Sequence, residues 1–172
     1  MNFIIKKATA KDIDEIVKII DFALSNDFSA YNDKTILAYR NNVFNKRYFQ
    51  EFIKDKKNII FNTYIQDKLV GLITFKLDYG GIIYMEWIAV DKSYRGKGLG
   101  SKLLDFGEKW AIKNKYHCVS LTTTMERQVK FYEKHGYHIL GIYKNGWFGE
   151  SDIVMTKSLR NKPFEEVFEI KK

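Results

Sequence analysis

Apolar residues recur along this chain with two different periods, and the switches between them mark out the elements. The opening segment, Phe3 to Ala8, is short and strand-like, with Phe3 and Ile5 on one face. Helical spacing follows in Ile13, Ile16, Val17, Ile20 and Leu24, behind Thr9 as N-cap and Asp12 three residues on. After a break at Phe28 to Asn32, Asp33 is expected to cap a second helix carrying Ile36, Leu37, Tyr39, Val43, Phe44, Phe49, Phe52 and Ile53, interrupted near Asn41 and Asn42. The charges on that helix, among them Arg40, Lys46, Arg47 and Lys54, read as a solvated face.

The pattern then turns to strands. Ile59 to Ile65 and Leu69 to Leu77 are dense in β-branched and aromatic residues around a turn at Gln66, Asp67 and Lys68, which predicts an antiparallel pair. Gly80 and Gly81 punctuate, and Ile82 to Val90 is a third long strand. Leu99, Leu103, Phe106 and Trp110 mark an amphipathic helix ending near Lys115. A strand from His117 to Thr124 and a helix from about Glu126 to His135, stopped by Gly136, come next. Two last strands, Tyr137 to Tyr143 and Phe148 to Lys157, flank Asn145 and Gly146, the dipeptide most typical of a two-residue hairpin. The order β, α, α, β, β, β, α, β, α, β, β predicts an α/β (α+β) fold: a mixed sheet with helices packed on it.

Length is consistent with one domain over residues 1–172, with 159–172 as a C-terminal tail opened by Pro163 and carrying Glu165, Glu166, Glu169, Lys171 and Lys172. At 45% hydrophobic and 29% charged, the composition is that of a globular chain. Neither a membrane span nor a signal peptide is recognisable, which predicts a cytoplasmic protein without a membrane partner. The single cysteine, Cys118, rules out an intramolecular disulfide and reads as a buried packing residue. His117, His135 and His138 lack metal-ligand spacing, so no metal is expected. The formal charge of +8 favours a polyanionic partner: nucleic acid, an anionic surface or a ligand with several phosphates.

The stretch Val90-Asp91-Lys92-Ser93-Tyr94-Arg95-Gly96-Lys97-Gly98-Leu99-Gly100-Ser101, between a strand and a helix, gives that charge a use. Glycines at 96, 98 and 100 let a ligand approach the main chain, the helix start presents unpaired N–H groups, and Arg95 and Lys97 add positive charge. A nucleotide P-loop would need Lys and then Ser or Thr after its last glycine, whereas Gly100 is followed by Ser101 and Lys102. A dinucleotide fingerprint would need a differently spaced third glycine and a distant acid. A glycine-rich connection with basic surface residues is the plain alternative.

Arg95 to Gly100 resembles the R/Q-x-x-G-x-G/A signature of the GCN5-related N-acetyltransferase (GNAT) superfamily, and Phe131 to Tyr137 resembles its Y-x-x-x-G-F/Y element. The order of elements over residues 3 to 158 is similar to that superfamily's fold. The resemblance implies a mostly antiparallel seven-stranded sheet flanked by about four helices and splayed between strands 4 and 5. It implies acetyl coenzyme A as cosubstrate, with backbone groups around Ile88, Ala89 and Val90 pairing with the pantetheine arm. Main-chain N–H groups of Arg95, Gly96, Lys97, Gly98, Leu99, Gly100 and Ser101 would hold the pyrophosphate. Glu86 stands where many relatives carry the general base, and Tyr132 aligns with the phenol that protonates the departing thiolate and touches the cofactor. A structural ion pair for Glu86 and core packing for Tyr132 are the competing readings. Met125 departs from the Asn that relatives often carry seven residues before the tyrosine.

The expected activity is acetyl transfer to a primary amine, on a small molecule such as a polyamine or aminoglycoside or on a peptide. Candidate acceptor residues are Phe28, Tyr31, Trp147 and Phe148, with Tyr39 and the acids Asp27, Asp33, Glu150 and Asp152 nearby in the variable parts of such folds. Core packing or a homodimer contact through Trp147 and Phe148 would use the same residues. Two other classes stay open: a catalytically idle domain that binds acyl coenzyme A as sensor or scaffold, and a basic nucleic-acid-binding module. The aromatics follow core periodicity rather than an exposed basic stripe, and no nucleic-acid partner is expected.

Overall fold

The computed structural model describes residues 2–28, 31–124 and 126–161, the side chains of Glu126 and Phe148 excepted. Met125 and the tail beyond Pro163 lie outside that range. The elements are β1 (Ile4–Lys7), α1 (Ile13–Asp27), α2 (Asp33–Ala38), α3 (Lys46–Lys54), β2 (Asn58–Ile65), β3 (Lys68–Leu77), β4 (Ile82–Val90), α4 (Leu99–Lys113), β5 (Cys118–Thr123), α5 (Glu126–Lys134), β6 (His138–Tyr143) and β7 (Asp152–Ser158). They build one seven-stranded sheet in the order β1-β2-β3-β4-β5-β7-β6. Every neighbouring pair is antiparallel except β4 and β5.

Local chemistry accounts for most of the boundaries. The turn into α1 is held by Asp12, whose Oδ2 accepts from the Thr9 N–H at 2.7 Å and the Thr9 hydroxyl at 2.9 Å. The expected second helix is two: α2 and α3 are separated by a π-helical turn over Tyr39–Val43 that includes Asn41 and Asn42. Asn side chains start both pieces, Asn32 accepting from Thr35 N and Asn45 from Tyr48 N. The cap of α2 is therefore Asn32, one residue before the expected Asp33.

Two apolar layers sandwich the sheet. On one face Ile16, Ile20 and Leu24 of α1 and Phe49 and Phe52 of α3 pack with Leu72, Trp87 and Ala89. On the other, Leu103, Leu104 and Ala111 of α4 and Val129 and Tyr132 of α5 pack with Ile73, Phe75, Ile83, Met85, Val119, Leu121 and Met155. Leu69 to Phe75 of β3 is buried without interruption because helices cover both of its sides. Cys118, expected in the core, is half-buried, with its Sγ 3.2 Å from the Thr156 hydroxyl.

The last hairpin departs from expectation. β7 begins at Asp152, not Phe148, and residues 144–151 form a longer connection with a 3-10 turn over Trp147–Gly149. Asn145 has a positive φ but Gly146 does not, so the type I′ turn that their pairing suggests never forms. The buried Asp152 side chain competes for this loop: its Oδ2 accepts from Trp147 N at 3.1 Å and lies where a Gly146 side chain would project. Beyond the loop, edge strand β6 leaves Ile139, Leu140, Ile142 and Tyr143 exposed, with Trp147 half-exposed beside them.

Gly107, in the middle of α4, shows how closely that helix sits on the sheet. A Cβ there would lie 2.6 Å from the Phe75 ring tip and 3.2 Å from Ile73 Cδ1. Gly107→Ala is expected to lower stability by about 1–3 kcal/mol despite alanine's better helix propensity. Joined with Phe75→Leu, the two costs should sum to less than their separate values, read by urea denaturation in a double-mutant cycle. Strict additivity would mean that the two residues do not share this space.

Candidate active site

The site grows from one irregularity in β4. Along the β3–β4 ladder Thr74 faces Trp87 and Phe75 faces Met85, so Glu86 is an extra residue, a β-bulge. Its effect on side-chain direction is visible in the core. Ile83 and Met85 point to the layer under α4 and α5, whereas Trp87 and Ala89 point to the layer under α1 and α3. Two successive side chains, Glu86 and Trp87, consequently share the α1–α3 face. The displaced Trp87 N–H donates to the Thr74 hydroxyl at 3.1 Å, so the bulge leaves it paired.

Beyond the bulge the sheet opens. β4 and β5 pair only over Ile82↔Cys118, Ile83↔Val119 and Tyr84↔Ser120, after which β4 stays with β3 and β5 with β7. A side-chain rung spans the mouth of the gap, Tyr84 Oη lying 2.8 Å from Thr122 Oγ1. The gap widens into a cleft of about 610 Å³. Its walls are Glu86 to Val90 of β4, Thr122 and Thr123 of β5, Phe131 and Tyr132 of α5, and the glycine loop.

At the loop end, Gly96 and Gly98 both have positive φ, 72° and 76°, and nothing lies within 4 Å of where a Cβ would stand. Glycine is demanded there by backbone conformation, and the neighbouring space is open to a ligand. Gly100 differs, since its Cβ would make ordinary contact with Phe131 at 3.7 Å. Gly98 precedes α4 with no side-chain cap, so the first N–H groups of that helix face outward without a protein partner at the cap position. Arg95, Arg127 and Lys134 make the cleft cationic. Arg95 is also a clasp: its guanidinium donates to both Asp27 oxygens at 2.7 and 2.6 Å, and its Nε donates to the Val90 carbonyl at 2.9 Å. The loop is thereby tied to the end of α1. Lys97 turns away, its ammonium donating to Ser93 O at 2.9 Å, and it is not part of the cleft lining.

A smaller cavity of about 80 Å³ adjoins the cleft on the α1–α3 side. Phe28, Tyr31, Tyr39, Phe44, Tyr84, Trp87 and Trp147 supply rings to its wall, and Glu86 and Asp152 supply carboxylates. Three of the four acceptor candidates are thus together; the Phe148 side chain lies outside the described residues. Asp33 is exposed on α2 and Glu150 is absent from the lining, so of the four acids Asp152 reaches this cavity and Asp27 the cleft.

Glu86 lines both spaces, with its side chain 10% exposed. One oxygen pairs with Lys76 Nζ at 2.5 Å and the other accepts from the Tyr48 hydroxyl at 2.5 Å. Burial and then the negative charge of Glu86 push the Tyr48 phenol well above its ordinary pKa, so it remains a proton donor to that carboxylate. Burial likewise raises Tyr132, with a smaller contribution from Tyr84. Tyr48 and Lys76 escaped sequence reasoning. For Lys76 a signal existed, because the short β3–β4 connection sets it opposite Tyr84; for Tyr48, on a separate helix, none did.

Among the described residues there is no group of three or more His, Cys, Asp or Glu that could hold a metal, and no helix is long and apolar enough to cross a membrane. The sequence profile of the acetyltransferase (GNAT) family matches residues 15–137. Streptothricin acetyltransferase of Escherichia coli is 25% identical over 73% of this chain and 70% of its own length. Streptothricin acetyltransferase A of Bacillus subtilis is 28% identical over 69% of this chain and 79% of its own. In fold, the chain superimposes on the PaiA N-acetyltransferase of Thermoplasma acidophilum, solved with coenzyme A, at a TM-score of 0.82 with 18% identity over 92% of this chain and 99% of that one. A parted parallel pair, a glycine loop opening a helix and a family profile spanning both place this chain in the GNAT family of acyl-CoA-dependent N-acetyltransferases, with acetyl coenzyme A as donor.

Proposed function

We propose that the protein acetylates a primary amine that enters through the smaller cavity, with Glu86 as general base and Tyr132 as general acid. The observation that carries this reading is the position of Glu86 at the junction of the two cavities. A carboxylate there touches the space for the thioester on one side and the space for an amine on the other.

The chemistry assigns each group a step. An amine arrives as an ammonium, and Glu86 takes a proton from it, directly or through water, freeing the nitrogen lone pair. Nitrogen forms a bond to the thioester carbonyl carbon, and the carbon–sulfur bond breaks as the tetrahedral species collapses. The electron pair leaves on sulfur, and the Tyr132 hydroxyl supplies its proton. The second proton shed by the acylated nitrogen passes through water to restore the phenol, leaving the amide, the free thiol and protonated Glu86. Because burial holds that phenol in its protonated form, it is a donor at every working pH of such an enzyme. Lys76 and Tyr48 fix both oxygens of Glu86 and so aim the carboxylate. The β4 edge that β5 leaves open, from Glu86 to the Val90 N–H, suits the amides of the pantetheine arm, and the bare loop at Gly96 and Gly98 suits the pyrophosphate.

The relatives named for streptothricin acetylation favour a small polycationic acceptor over a protein one, and so does the modest size of the amine cavity. Incubation with acetyl coenzyme A and a panel of polyamines, aminoglycosides, amino acids and peptides, followed by free-thiol release, tests the reading. Release with no amine, or salt-sensitive binding to DNA or RNA without affinity for coenzyme A, would overturn it.

Tyr132→Phe and Glu86→Gln are each expected to lower kcat by about a hundredfold while leaving the coenzyme A dissociation constant within about threefold. The loss in Tyr132→Phe should be the same at about pH 7 and about pH 9, since the raised phenol pKa keeps the acid form present at both. Unchanged turnover removes the corresponding role. Gly98→Ala forces an L-residue into a left-handed conformation, costing about 1–2 kcal/mol, and puts a methyl into the ligand space. Calorimetry should show weakened coenzyme A binding by about tenfold or more with the fold intact; wild-type affinity would move the pyrophosphate elsewhere.

A further inference from the structure

Asp152 is 3% exposed, yet no salt bridge to it exists among the described residues. A buried carboxylate without a cation is costly and persists where something compensates it. Its Oδ2 accepts from Trp147 N at 3.1 Å, while Oδ1 has a single long contact, the Tyr31 hydroxyl at 3.5 Å. Glu86 apart, the remaining polar side chains on this wall are neutral: the phenols of Tyr31, Tyr39 and Tyr84 and the hydroxyls of Thr122, Thr123 and Thr124. Burial and hydrogen bonding with Tyr39 raise Tyr31, and burial pushes Tyr39 up to about 12. Tyr84 is also raised by burial, so none of the three competes with Asp152 for the role of anion. Among the described residues no Lys, Arg or His lines the cavity. The other carboxylate, Glu86, already has Lys76 as its counter-ion. Once that pair is set aside, one negative charge is left in a box of aromatic rings.

We infer that Asp152 is the counter-ion for a second ammonium group of the acceptor, so that the site takes a short aliphatic diamine or polyamine whose other nitrogen reaches Glu86. This rests on the proposed amine acetylation at Glu86 and adds what the rest of the acceptor must be. The reacting nitrogen has to be neutral when it attacks, so it cannot balance Asp152 itself; a retained ammonium can. Size selects the class further. The cavity is small, about 80 Å³, which suits a methylene arm ending in an ammonium better than a sugar ring. The rings of Tyr31, Tyr39 and Trp147 add cation–π faces around the charge.

Rates for 1,4-diaminobutane and n-butylamine, measured by thiol release on the full chain, test the inference. Wild-type kcat/KM should favour the diamine by about tenfold or more, well above the twofold that its two nitrogens supply statistically. In Asp152→Asn, which keeps an acceptor oxygen for Trp147 N, that preference should collapse towards the statistical value, mainly through a higher diamine KM. Coenzyme A affinity and melting temperature report that the variant is folded; if it is not, the wild-type ratio decides alone. Acetylation of both amines at a ratio near the statistical value, or a preference that survives in Asp152→Asn, overturns the role of Asp152 and leaves the proposed function standing. No acetylation of any amine overturns both.

Discussion

A strand edge left unpaired inside the protein is the constraint from which the rest follows. β4 is laddered to β3 from Ile83 to Val90 around the bulge at Glu86, but on its other side it loses β5 after Tyr84. Backbone N–H and C=O groups away from bulk water need partners, and a sheet that simply stopped there would be unstable or prone to pair with another chain. The protein tolerates the opening because each flank is held elsewhere. β3 is buried on both faces, β5 is fully laddered to β7, and α4 and α5 close the layer beneath. What remains is a slot with strand chemistry on one wall and a helix start at its end, the shape of an extended molecule carrying amides and then phosphates.

Charge is divided across that slot. The glycine loop and α5 bring Arg95, Arg127 and Lys134 to the cleft, beside Asp27 and Glu86. The adjoining cavity has two carboxylates and, among the described residues, no cationic side chain in its lining. Asp27 sits at the seam, neutralising Arg95 and holding the loop to α1. With three cations and two carboxylates in its lining, the cleft accounts for only a small part of the formal charge of +8.

How much of this was legible in the sequence depended on range. Elements with strong periodicity were readable to within a residue or two: β4 and the start of α4 fall where the pattern put them, and the glycines announced the loop. The misses share a cause. The Asn145-Gly146 pair has the right local chemistry for a two-residue turn, but Asp152 draws the loop onto itself through Trp147, a tertiary contact that local propensity cannot report. Asn32 displaced Asp33 as a cap by the same margin that separates two equally good capping residues. Glu86 could be picked out by its place on the strand, whereas the bulge that makes it useful is invisible, since a bulge is a mismatch between two strands and no single strand encodes it.

That bulge also ties selectivity to chemistry. It puts Glu86 and Trp87 on one face in succession, so the proposed base and a wall of the proposed amine cavity are neighbouring residues. Trp87 packs on Phe28 and Phe44, with ring centroids 5.5 and 4.9 Å away, and Glu86 takes its orientation from Tyr48. All three partners come from the segment holding α1, α2 and α3. A change in those helices that reshapes the cavity for another acceptor must also shift the contacts that aim Glu86. The glycine loop and the parted strands impose no such coupling on the donor side, where recognition rests on main chain. Acceptor range in this protein is accordingly expected to be narrow and to change together with turnover, while donor binding stays indifferent to the first three helices apart from the Asp27 clasp.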